Sequence, residues 1–109
     1  MSSDIPESDW RHFKSVHALA QERFCRRTLE DVATLASEST GGTAHDRYLK
    51  IYKLIKQRHK EMANAFDDFR RSTAIMQMGF LRRMDHLTDE ELRLFSDQTR
   101  IRIEGIGSL

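Results

Sequence analysis

The chain of 109 residues predicts an all-α fold, and three observations carry that prediction. Breakers are scarce: one proline, Pro6, and five glycines leave long uninterrupted stretches. Large apolar side chains recur at helical spacing in two long runs. Capping residues stand just ahead of the second and third helical stretches. The architecture that follows is a long antiparallel helical hairpin with short C-terminal helices, one domain over 1–109, dimerised into a helical bundle.

The first helix is expected over about 8–37. Trp10, Phe13, His17, Ala20 and Phe24 keep helical spacing, and the stripe then slips one residue to Cys25, Leu29, Val32 and Ala36. A straight helix drifts in this way against a 3.5-residue repeat. Asp4 or Ser8 is placed to cap it, and Pro6, Glu7 and Asp9 suit the positive end of its dipole. The stretch "SESTGGT" (37–43) ends it. Thr43, with Asp46 three residues on, opens the next.

The second helix is expected over about 44–84. Tyr48, Tyr52, Ile55, His59, Met62, Phe66, Phe69, Thr73, Met76 and Phe80 alternate steps of four and three. In heptad terms Tyr52, His59, Phe66, Thr73 and Phe80 are a, and Tyr48, Ile55, Met62, Phe69 and Met76 are d. Such a helix would be about 60 Å long. Short helices follow over about 88–104. Thr88 and Glu91 have capping-box spacing, Leu87 and Leu92 staple spacing, and Ser96 caps the last turns before Gly105 and Gly107.

The two lengths do not match. A first helix of about 45 Å leaves the end of the second uncovered. Thr73, Ile75, Met76, Met78, Phe80 and Leu81 leave almost no polar face there, and a helix apolar all round has to be buried all round. The short third segment covers one side, so a second copy is expected on the other. These six residues are the predicted homodimer interface.

The net charge of +1 is unevenly spread: residues 1–43 carry −2, 44–84 carry +6 and 85–109 carry −3. Acidic flanks folding back on a basic middle account for this. A nucleic-acid surface on the second helix, built on Lys50, Lys53, Lys56 and Lys60, is the alternative. No recognition-helix or aromatic stacking motif accompanies that stripe.

His17 and His59 both fall on the predicted seam. With the turn centred near 40–41 they lie about 7–8 Å apart along the axis, too far to share one metal ion. The expectation is a polar seam that fixes register, with a pH- or metal-responsive bundle as a third reading. No cofactor and no metal site is expected. No phosphate loop, G-x-S-x-G or CxxC occurs, so the chain reads as a non-enzyme. The lone Cys25, the acidic N-terminal stretch and the want of a long apolar run predict a cytoplasmic protein with no membrane segment.

The segments "ERFCRR", "YLKIYKLIKQRHKEM", "LTDEEL" and "FSDQTR" resemble a group of short, uncharacterised proteobacterial all-helical proteins. Some of those carry the label of peptide-transporter substrate-binding component. The resemblance spans about 9–103 and brings no catalytic or ligand residues. The functional expectation is therefore a cytosolic protein-interaction or adaptor protein acting as a homodimer, with an unidentified protein partner.

Overall fold

The computed structural model describes residues 5–109, and the regular structure among them is helical. The α-helices are α1 (Glu7–Ala36), α2 (Ala44–Phe66), α3 (Ala74–Arg83), α4 (Asp89–Leu92) and α5 (Asp97–Gly107), with 3₁₀ turns at Glu38–Thr40 and Arg71–Thr73.

Local chemistry sets most of these boundaries. Pro6 stands at the start of α1 and no side chain caps it; Ser8 lies inside the helix, and Asp4 lies outside the described residues. Between α1 and α2, Gly41 and Gly42 take positive φ of 86° and 77°, which side chains would strain. Thr43 and Asp46 then form a reciprocal capping box at 3.0 Å each way. Thr88 and Glu91 repeat the device ahead of α4, and the Ser96 hydroxyl accepts the Thr99 N–H to open α5.

The continuous helix expected over 44–84 is not what forms. α2 stops at Phe66, and α3 begins only at Ala74. Asp68 adopts a left-handed conformation, φ 57°, which aspartate tolerates better than most residues. Side chains then hold the break. Thr73 Oγ1 donates to the Asp68 carbonyl at 2.7 Å and accepts the Arg70 N–H at 3.2 Å. Gln77 donates to the Asp67 carbonyl, and Arg70 pairs with Asp68. Phe69 leaves the helical path and stacks on Trp10, Phe13 and His17, with ring centroids 5.3, 5.4 and 4.2 Å apart. An aromatic contact of this kind can outweigh the few helical hydrogen bonds the break gives up.

Because the chain turns here, α3 folds back and packs chiefly on α5. The approach is close: a Cβ on Gly79 would meet Ile106 Cγ2 at 2.2 Å. Phe13, Val16, Ala20 and Phe24 from α1 join Ile75, Met78 and Leu81 from α3 with Leu92, Phe95 and Ile103 in one core. Two polar ties fasten this head to α1. Buried Asp9 accepts the Ser96 N–H (2.9 Å), the Ser96 hydroxyl (2.7 Å) and the Thr99 hydroxyl (2.5 Å). Arg23 makes a two-pronged bond to Glu91, 3.0 Å on each side, the geometry in which a guanidinium binds carboxylate best.

The predicted dimer interface needs correcting on this ground. Ile75, Met78 and Leu81 are buried within the same chain, and Thr73 and Phe80 are half-buried. Only Met76, 51% exposed, faces outward freely. The uncovered end of the second helix was a product of assuming it straight.

Beyond the head, α1 and α2 continue side by side as an arm. Their contacts run in opposite order: Phe24 meets Phe66, while Asp31 and Thr28 meet Arg58. The register lies several residues beyond the predicted one. The molecule measures 55 × 24 × 23 Å with a radius of gyration of 16.5 Å. A compact chain of this length would have about 13 Å.

Candidate functional site

The arm does not bury the seam that the sequence displays. Half-buried Arg47, Ile51, Leu54 and Arg58 turn toward α1, each one residue short of the predicted a and d positions. One residue is about 100° of rotation on a helix, so the large side chains are carried out to one side. Leu29 is 66% exposed, Tyr48 65%, Tyr52 57% and Ile55 45%. Four such residues on one arm form an unpartnered face, where scattered single ones would need no explanation.

The face has a groove of ≈ 330 Å³ at its head end, lined by Phe24, Cys25, Thr28 and Leu29 of α1 and Ile55, Arg58, His59 and Met62 of α2. Tyr52 and Tyr48 stand three and seven residues before Ile55, so they extend the α2 side of the groove toward the arm's tip. Ala33 and Ala36, four and seven residues after Leu29, extend the α1 side with small side chains. Arg58 lines the groove as well, its guanidinium held by Asp31 at 2.9 Å. Cys25 is half-buried there with a free thiol.

The opposite side of the arm is polar. A cleft of ≈ 410 Å³ lies among Arg27, Glu30, Asp31, Arg58, Glu61, Met84 and His86. Buried His86 meets Arg27 through Nδ1 at 3.2 Å, and Arg27 also donates to the Asp85 carbonyl at 2.6 Å. Burial, then the nearby Arg27, Arg23 and Arg58 charges, push the His86 pKa down, outweighing Asp85. Both signs of charge line this cleft, three carboxylates against two guanidiniums. It ties the corner after α3 to α1 and offers no single-sign pocket.

The two seam histidines part company. His17 sits among Phe13, Phe66 and Phe69 in the head, and its Nε2 is buried without a partner among the described residues. Burial lowers its pKa, against a smaller opposing effect of a bond with the Phe66 backbone. His59 is exposed on the groove rim. Lys50, Lys53, Lys56 and Lys60 are all exposed along α2; Lys50 lies near Asp46. Among the described residues no group of three His, Cys, Asp or Glu side chains is gathered to hold a metal ion. Among them, too, no helix is long and apolar enough to cross a membrane.

Sequence reasoning placed Leu29, Tyr48, Tyr52 and Ile55 inside the fold. One signal pointed the other way. Two of the seam positions on α2 are tyrosines, Tyr48 and Tyr52, whose hydroxyls suit a wet position better than a dry seam. Comparison with protein-family models, curated proteins and solved structures finds no match, so the geometry alone carries the functional reading.

Proposed function

We propose that this chain is a non-enzymatic protein-interaction or adaptor protein of the cytoplasm, and that it works as a homodimer joined through the arm. The exposed stripe of Leu29, Tyr48, Tyr52 and Ile55 carries this reading. A two-helix antiparallel hairpin has no third layer to bury such a stripe, and a second hairpin completes a four-helix bundle at least cost. The head's surface then remains free for another protein.

Sedimentation equilibrium tests this. The unaltered chain should show dimer at tens of micromolar, while Ile55→Glu and Tyr52→Glu should be monomers with unchanged helical circular dichroism. A monomeric unaltered chain sinks the reading.

A second reading has its own observation. Among the described residues, Lys53, Lys56 and Lys60 are exposed and meet no carboxylate, and such a stripe is able to follow phosphates. Salt-dependent retention on heparin, lost on reversing these three charges, would favour nucleic acid as the partner.

A further inference from the structure

We infer that the second copy seats with its α2 against this chain's α1, so that both arms point the same way and both heads lie at one end. The inference rests on the proposed arm-to-arm dimer and specifies how its two faces meet.

The first argument is shape. The face is lopsided: α2 contributes the bulky Tyr48, Tyr52 and Ile55, whereas α1 contributes Ala33 and Ala36 with Leu29 as its one large side chain. Laying like on like would crowd six bulky residues along one seam and leave a trough along the other. Crossing them sets large against small on both seams, as close-packed helices require.

The second argument is charge. From Arg47 to Lys60, α2 holds no acidic residue at all. Two such helices laid together would bring the exposed Lys53, Lys56 and Lys60 of both copies alongside one another, and like charges at that range repel. Over the matching length, from about residue 28 to its end, α1 offers Glu30 and Asp31 and holds no basic side chain. Pairing α1 with α2 therefore replaces a lysine-only rim by a mixed one.

The extent of the face sets the strength. Tyr48 to Met62 spans about 21 Å and two helices are about 20 Å wide. With side-chain relief this approaches the roughly 600 Å² per copy at the lower end for specific dimers. A dimer of micromolar strength is what such an area supports.

A distance measurement decides the arrangement. Cys25 is the chain's single cysteine, so Glu38→Cys in a Cys25→Ala background carries one spin label at the exposed arm tip. With parallel arms the two labels lie about 20–25 Å apart, whereas arms pointing oppositely separate them by about 35 Å or more. The short distance supports the crossed pairing. A long distance in a sample that sedimentation shows to be dimeric overturns it and leaves the dimer standing. Monomers at every concentration overturn both. Sedimentation of the unaltered chain beside the labelled one separates a dimer lost to the Cys25→Ala change from one that never forms.

Discussion

The head and the arm share one helix, α1, yet they reach different degrees of burial. In the head, α1 meets α3 and α5, and Phe13, Phe24, Met78, Leu81 and Ile103 lose nearly all contact with water. In the arm the same α1 meets α2 alone, and Tyr48, Tyr52 and Ile55 keep about half their surface. A helix with one neighbour buries one stripe; it needs two or three to bury more. The head closes on itself, whereas the arm has a side left over. Substitutions should therefore act on stability in one region and on association in the other.

The largest effect is expected from Phe13→Ala, which empties a fully buried site shared by α1 and the aromatic cluster. It should cost about 3–5 kcal/mol of unfolding free energy, measured by urea denaturation. A cost under 1 kcal/mol would show that the head is not the stable region. Next comes Asp9→Ala, which strands the buried Thr99 hydroxyl and the Ser96 donors. About 1–3 kcal/mol should be lost, and the α5 amides should exchange faster with solvent.

Acid should loosen the head by a related route. The pKa values of His17 and His86 lie below the ordinary histidine value of 6.5 in the folded chain. The unfolded chain then binds more protons, so stability is full above about pH 6.5 and declines as pH falls through that value. Burial would raise Asp9 and Glu91, but bonds from Thr99 and Ser96 to Asp9, and from Arg23 and Thr88 to Glu91, outweigh it and lower both. Their contribution persists above the ordinary carboxylate pKa and is lost as pH drops below it. A thermal melting temperature that is the same at pH 5.5 and 7.5 would contradict the histidine part, and His17→Phe should reduce that pH dependence to the share due to His86. The smallest effect on stability belongs to the arm: Tyr52→Ala in a dilute, monomeric sample should shift unfolding by no more than about 0.5 kcal/mol.

The helical class and its punctuation could be read from the sequence because they depend on neighbours in the chain. Thr43 with Asp46, Thr88 with Glu91 and Ser96 with Thr99 act within three residues, and residue types alone announce them. The break at Asp67–Arg70 could not be read that way. No glycine or proline marks it, and the heptad steps straight across. It exists because Phe69 finds Trp10 and His17, more than fifty residues earlier, and because Thr73 and Gln77 satisfy the backbone that the break leaves open. The exposed face was hidden for a similar reason. Its residues were all identified as apolar and periodic, but the facing stripe of α1 decides which stripe of α2 turns inward. The Asp31–Arg58 pair marks the inward stripe, one residue before His59. Periodicity names the stripe, and only the partner helix names its direction.

The arm also changes how the molecule moves through a liquid. A body 55 Å long and 24 Å wide drags more solvent than a sphere of its 12.8 kDa. On a gel-filtration column calibrated with round proteins, a single copy will emerge early and pass for something heavier. Two arms laid together thicken the rod more than they lengthen it, so association will alter the elution position less than a doubled mass suggests. Friction cancels at sedimentation equilibrium, where mass alone fixes the gradient.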